Sequence, residues 1–235
     1  MLPSTPRPRS SFQVPTVAVY MCDQRKHYDQ FITHILLSVL QDYAPYVCDL
    51  IEPDILPNQS RLYIRLPLHA HVEYVEWAGL RRLLAHWENS AADMLGALIP
   101  RPTSIGDAVI TYRSLQLMLE PEAETLRGRI MLNLRTTPIT ELDVQTIWWT
   151  FQGKPEWSSW LDALVYNLVR FQVLSGEPYG TAIQLFIETE MLNMDNAQYA
   201  QVLSAYELHI GATRPRLRTT LSRRVDRVLR RVFHA

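Results

Sequence analysis

The chain has 235 residues, 47% of them hydrophobic and 10% aromatic, and its formal net charge at pH 7 is only −1. This composition is sufficient for one sizeable core, or for two small cores that share a face, and excludes a disordered chain. No apolar run approaches the roughly eighteen residues that cross a bilayer, so we expect no transmembrane segment.

The first half of the chain is predicted to alternate between helix and strand. Residues 1–15 hold four prolines and are interpreted as an extended arm. Apolar residues three and four apart predict a helix over Asp23–Tyr43, which Pro45 ends. Alternating apolar and polar residues then predict a strand over Arg61–His71, and helical spacing returns over Tyr74–Leu98.

The second half begins with the clearest strand signal of the chain. Ala108–Glu120 and Leu126–Thr136 alternate and are joined by a short break, which predicts an antiparallel hairpin. Helices are predicted after it over Glu141–Phe151, Trp160–Leu174, Tyr179–Leu192 and Asn196–His209. Thr140 is the expected cap of the first of these helices, and Ser158 or Ser159 that of the second. A strand over Ala182–Ile187 remains an alternative.

Catalytic motifs are scarce. The sequence has only eight glycines, no nucleophile elbow, no glycine-rich phosphate loop and no paired cysteines at metal spacing, so no enzyme activity and no cofactor are predicted. The most enzyme-like group is His69, His71 and Glu73 with Glu76 nearby, which resembles half of a cupin metal motif. The flanking glycines and the second half of this metal motif are missing. We therefore interpret His69 and His71 as surface residues at the end of a strand. A small cupin-like metal enzyme is the second alternative function.

Four tryptophans are grouped in the second half of the chain. Trp148, Trp149, Trp157 and Trp160 could form a platform on which nucleic-acid bases stack. Their helical spacing beside other apolar residues favours core packing instead.

The last 25 residues carry most of the positive charge. Gly211–Ala235 has a charge of +7, which leaves −8 for the rest of the chain. Leucines and valines three and four apart predict a basic amphipathic helix, which we expect to bind anionic lipid or nucleic-acid phosphates. Two alternatives are that this helix docks on the acidic remainder of the chain, or that it acts as a nuclear localisation signal. The candidate anion-binding residues are Arg214, Arg216, Arg218, Arg223, Arg224, Arg227, Arg230 and Arg231.

A resemblance to a known family lies between about residues 58 and 176. Arg127-Gly128-Arg129-Ile130-Met131-Leu132 is followed by Glu141-Leu142, by Ile147-Trp148-Trp149-Thr150-Phe151, and by Trp157-Ser158-Ser159-Trp160. In this order the motifs resemble the C-terminal half of rhabdovirus matrix proteins, with Arg127–Leu134 as a strand. Three features differ from the family: the N-terminus is not lysine-rich, there is no Pro-Pro-x-Tyr motif, and the chain extends past the familiar domain.

The resemblance implies an α+β fold, in which helices pack on an antiparallel sheet and extra C-terminal helices follow. Residues 16–210 would form one matrix-like domain between the arm and the basic helix at 211–235. The implied function is that of a viral matrix structural protein in the virion, host cytoplasm and membrane-associated fraction. Its partners would be itself, the nucleocapsid and the anionic inner leaflet, and an RNA-binding or nucleocapsid-associated protein is the first alternative. The family's self-association loop corresponds to residues 98–107, with Leu98, Ile99, Pro100, Pro102 and Ile105.

Overall fold

The protein has an α+β fold with a four-stranded sheet. The computed structural model describes residues 14–23, 28–56, 59–67, 73–92, 98–173 and 181–213. Most of the predicted arm and the whole tail from residue 214 onwards lie outside the described residues. Within them, no helix is both long and apolar enough to span a bilayer.

The sheet is mixed, whereas the predicted sheet was antiparallel. Its strands are β1 (Thr16–Asp23), β2 (Tyr28–Leu36), β3 (Glu52–Leu56) and β4 (Gln59–Pro67), in the order β2-β1-β4-β3. The β1–β2 and β3–β4 pairs are antiparallel, but β1 and β4 run parallel. The two antiparallel pairs therefore meet at a parallel junction in the middle of the sheet.

The predicted helix over Asp23–Tyr43 is wrong for most of its described residues, because β2 occupies Tyr28–Leu36 and α1 covers only Leu37–Tyr43. A β-bulge explains the misleading spacing. The β1–β2 register shifts so that Ile32 is an extra residue between the partners of Val19 and Tyr20. Ile32 and Ile35 are both buried although they are three residues apart, a spacing that is typical of a helix.

A short 3-10 helix at Pro45–Leu50 follows α1, and a π-helical turn at Val169–Val173 continues α6. The other helices are α2 (Glu73–Ala92), α3 (Ile105–Leu117), α4 (Glu122–Thr136), α5 (Glu141–Phe151), α6 (Trp157–Leu168), α7 (Thr181–Leu192) and α8 (Asn196–Thr213). The strand predicted at Arg61–His71 is confirmed as far as Pro67. The strand alternative for Ala182–Ile187 is wrong, because these residues lie in α7.

The predicted hairpin over Ala108–Thr136 is wrong, because both of its segments are helices. In α4 the buried residues Leu126, Ile130 and Leu134 are four apart and form one helical stripe, whereas Leu132 is 61% exposed. The apparent alternation therefore mixed two faces of a helix. Helix α3 packs against α2, α4 and α5, so its own residues are buried on several sides. Its sequence therefore shows no single apolar stripe. The strand that the matrix resemblance assigned to Arg127–Leu134 is wrong for the same reason.

The Thr140 cap of α5 is confirmed as part of a capping box. The Thr140 hydroxyl accepts a hydrogen bond from the Asp143 amide at 3.2 Å, and the Asp143 carboxylate accepts one from the Thr140 amide at 3.0 Å. The predicted serine cap of α6 is wrong. This helix follows Glu156 without a side-chain cap, and the Ser159 hydroxyl donates to the Glu156 carbonyl at 2.9 Å.

The core between the helices is rich in aromatic rings. Phe151 and Trp160 stack at a centroid distance of 4.0 Å, and Tyr112 lies 5.6 Å from Trp160. Core packing is confirmed for Trp148, Trp157 and Trp160, all of which are buried. Trp149 is different, because 45% of it is exposed.

Candidate self-association surface

The predicted self-association loop lies between α2 and α3. Leu98, Ile99 and Ile105 are half-buried and pack against the core. Pro100 is also half-buried, whereas Pro102 is exposed with the residues on either side of it. The apolar residues of the loop thus face largely inward, and its solvent-facing part is the stretch 101–104.

Hydrogen bonds hold both ends of this loop. The indole nitrogen of Trp87 in α2 donates to the Leu98 carbonyl at 2.8 Å. At the other end, the Ser104 hydroxyl caps α3 by accepting from the Asp107 amide at 3.0 Å, and the Thr103 amide donates to the Asp107 carboxylate at 2.9 Å. The exposed stretch is therefore a short span between two fixed ends.

The start of α3 is also fixed from two neighbouring helices. Arg82 of α2 donates hydrogen bonds to the Asp107 carboxylate and to the Thr111 hydroxyl. The buried Asp143 carboxylate of α5 accepts from the Gly106 amide at 2.6 Å. Asp143 therefore links the beginnings of α3 and α5, and the first turn of α5 lies next to the loop.

Exposed apolar side chains continue from the start of α5 to α7. On α5, Leu142 is 68% exposed, and Trp149 lies on the same helical face seven residues later. The Trp149 ring meets the Phe186 ring of α7 edge-on at 5.4 Å. Leu185 and Leu192 of α7 are 63% and 58% exposed. Sequence reasoning missed this surface because it assigned every tryptophan to the core, although the seven-residue spacing of Leu142 and Trp149 was visible.

The outer face of the sheet carries aromatic and charged side chains. Tyr20 and Phe31 meet edge-on at 5.6 Å, and the Arg65 guanidinium lies 4.8 Å from the centre of the Tyr63 ring. The Asp29 carboxylate accepts a 2.8 Å hydrogen bond from Arg65. The pKa of Asp29 is lowered by hydrogen bonds from the Cys22 thiol and then from Arg65, while partial burial opposes this effect.

The carboxylate of Glu76, next to the predicted histidine cluster, is buried in ion pairs. It accepts from Arg113 at 2.8 Å and from Lys154 at 3.4 Å, and its side chain is fully buried. Burial, followed by the charge of Arg113, lowers the pKa of Lys154. His69 and His71 lie outside the described residues, among which there is no group of three potential metal ligands.

All eight arginines predicted to bind an anionic surface also lie outside the described residues, because these end at Thr213. The part of the chain that immediately precedes them is α8, which packs on α6. The described part of the chain therefore ends in a helix that packs on α6.

Comparisons with known proteins assign no family. No protein-family model matches the chain, and neither a curated protein nor a solved structure matches it significantly.

Proposed function

We propose that this chain is a viral matrix structural protein that self-associates and links the nucleocapsid to an anionic membrane during virion assembly. The observation that carries the proposal is the segment of residues 98–104, which leads into α3. Its ends are held by the Trp87–Leu98 and Ser104–Asp107 hydrogen bonds, and Pro102 projects between them. A loop that is already ordered loses little conformational entropy when a second copy binds it.

The apolar side chains near the loop favour the same proposal. Leu142 is 68% exposed on the first turn of α5, which Asp143 joins to the start of α3. Large apolar groups that cluster at a surface are typical of protein interfaces. The loop and the start of α5 would form one contact area, with Pro102 at its polar edge and Leu142 in its apolar part.

Self-association is tested by substituting the exposed proline of the loop. Pro102→Asp places a charge within the proposed contact, and Pro155→Asp is the matched control because Pro155 is an exposed proline between α5 and α6, beyond the end of α5 that is opposite to Leu142. We expect sedimentation velocity of the full chain to show weaker self-association for Pro102→Asp alone. Identical profiles for both variants would refute the role of the loop.

Membrane binding is tested by flotation with neutral and anionic liposomes. The full chain is compared with a copy ending at Thr213, the last residue of α8. The missing segment contains eight arginines, each worth on the order of 1 kcal/mol near a charged leaflet, so only the full chain should float, and only with anionic liposomes. A full chain that ignores anionic liposomes would contradict the membrane part of the proposal.

RNA binding is the second candidate function, and the outer face of the sheet favours it. Tyr20, Phe31 and Tyr63 present ring faces or edges there beside Arg65, and single-stranded bases stack on such surfaces. Asp29 offsets the charge of Arg65 and weakens the attraction for phosphate. This function predicts that RNA affinity falls steeply as the salt concentration rises and that Phe31→Ala weakens RNA binding. It also predicts that the charge of the lipid makes no difference to liposome binding.

A further inference from the structure

The outer side of α4 carries positive charge that no carboxylate compensates. Residues 125–140 contain three arginines and neither a lysine nor an acidic residue. Arg127 is paired with Glu124 at 3.3 Å. Arg129 and Arg135 are exposed, and their side chains form no hydrogen bond or ion pair within the ranges that the structure describes. Both guanidinium groups are therefore available to an anionic partner from outside the chain.

A third arginine extends this charge past the end of α4. Arg170 lies in the π-helical turn after α6 and is exposed. Its guanidinium donates to the Arg135 carbonyl at 3.0 Å and to the Tyr166 hydroxyl at 2.8 Å. Neutral oxygens thus hold this side chain next to the end of α4, and they leave its charge in place. We call the surface of Arg129, Leu132, Arg135 and Arg170 the α4 surface.

Leu132 places an apolar group between the two arginines of the helix. It is 61% exposed and lies three residues from both Arg129 and Arg135, and residues three apart are neighbours on a helix. Ile130, in the middle of the buried stripe, projects about 160° away from Leu132 around the helix axis. Leu132 therefore lies on the outermost line of α4, with an arginine on either side of it.

Gly128 keeps the α4 surface low one turn before Leu132. A Cβ at Gly128 would have no atom within 4 Å, so no neighbour in the protein requires a glycine there. A glycine in the middle of a helix reduces helix stability, and one common reason for it is the close approach of the backbone to a ligand. The position is consistent with a partner that lies flat against the outer side of α4.

The combination of charge and an exposed leucine favours an anionic membrane over RNA as this partner. At a lipid interface, arginines bind the headgroup phosphates while an apolar side chain enters the acyl boundary. On RNA, the same arginines would bind backbone phosphates, but Leu132 would gain nothing from the contact. Only the membrane uses both features of the α4 surface.

We propose that the α4 surface binds the anionic leaflet directly and determines which side of the helical domain faces the lipid. This inference rests on the membrane part of the proposed function and adds a second contact to that of the tail. The α4 surface has three arginines against the eight of residues 214–235, so the tail recruits the chain and the α4 surface binds once the tail holds it near the lipid. A copy that ends at Thr213 is therefore still expected not to float.

Charge substitutions in the full chain test this contact. Binding to vesicles of phosphatidylcholine and phosphatidylserine is measured by titration at 0.1 M salt. Arg129→Gln and Arg135→Gln should each weaken binding about fivefold, since a basic residue near an anionic leaflet contributes on the order of 1 kcal/mol. Arg81→Gln is the matched control, because Arg81 is an exposed arginine on α2, which packs on α3 and the sheet. Substitutions on α4 that weaken binding no more than the control would overturn the proposal.

The leucine is tested in the same titration and by a probe that reports contact with lipid. Leu132→Ser should also weaken vesicle binding severalfold, whereas Leu185→Ser, which changes a leucine that is 63% exposed on α7, should not. A fluorescent label at Leu132→Cys, with Cys22→Ala and Cys48→Ala as background, should be quenched by brominated lipid. The same label at Leu185→Cys should be quenched much less, and equal quenching at both positions would contradict a specific contact through α4.

The outcomes separate this inference from the proposed function. If the full chain binds anionic vesicles but the α4 variants behave like their controls, the α4 surface is refuted and the membrane function stands. If the full chain binds no anionic vesicles, both are refuted. Variants of Arg129 and Arg135 that lose RNA affinity in filter binding and keep their vesicle affinity would assign the α4 surface to nucleic acid, which also overturns the proposal.

Discussion

Glu120 should make the protein less stable as the pH rises from about 4.5 to 7. Its side chain is only 6% exposed, and its Oε1 atom has no hydrogen-bond partner within the described part of the chain. Burial, followed by the charge of Glu122, raises the pKa of Glu120 to about 7 from an ordinary value of 4.5. The unfolded chain therefore loses this proton at a lower pH than the folded protein, so the free energy of unfolding falls over this interval and is then constant.

The magnitude follows from the size of the shift. One pKa unit corresponds to 1.36 kcal/mol, so a rise from 4.5 to about 7 costs about 3 kcal/mol of stability once Glu120 is ionised. Glu120→Gln removes the ionisation and keeps the shape of the side chain. We expect the variant to match the wild type near pH 4.5 and to be more stable by about 3 kcal/mol at pH 8.

Urea unfolding monitored by tryptophan fluorescence, at half-unit steps from pH 4.5 to 8, measures this difference. Glu124→Gln is the matched control, because Glu124 lies in the same helix-start region with a side chain that is 65% exposed. The control curve should run parallel to that of the wild type. A Glu120→Gln curve that is also parallel to the wild type would refute the assignment of the buried, protonated carboxyl.

Four further substitutions test backbone and packing features by urea unfolding. Gly79→Ala should destabilise the protein by about 1–3 kcal/mol, because the added Cβ would lie 2.5 Å from Ile110 Cγ2 between α2 and α3. Gly128→Ala, with no atom within 4 Å, should stabilise it by up to about 1 kcal/mol, and equal effects would contradict this packing. Leu119→Gly should stabilise by about 1 kcal/mol, because Leu119 has a φ of 59° after α3, and a loss of stability would show that its side-chain contacts dominate. Thr140→Ala should cost about 1 kcal/mol, and no effect would exclude a role for this cap in stability.

Elements with a simple pattern and a clear boundary could be predicted from the sequence. Helix α5 is one of these elements, because its bounds and its Thr140 cap are both predicted from the sequence and both confirmed. Helix α4 was not, because its sequence does not reveal that Leu132 faces solvent while Ile130 and Leu134 are buried. Strand β2 was missed because the bulge at Ile32 changes the spacing of its buried residues from two to three.

The candidate surface was predicted only in part. The loop position came from the resemblance and from its prolines, whereas the hydrogen bonds that α2 and α5 make to the start of α3 join residues that are far apart in the chain. Asp143 and Gly106, for example, are 37 residues apart, and a carboxylate that accepts from a backbone amide leaves no pattern in the sequence. The exposure of Trp149 is similarly a result of how α5 and α7 pack.

The parallel pairing of β1 with β4 has a consequence for synthesis on the ribosome. Strand β1 obtains its first neighbour as soon as β2 emerges, but its other edge stays without backbone partners until Pro67 has been made. That edge includes Val17 and Val19, which are apolar and completely buried in the finished protein. Nascent chains that end before Pro67 should therefore bind chaperones through this unpaired strand edge, and completion of β4 should remove that contribution.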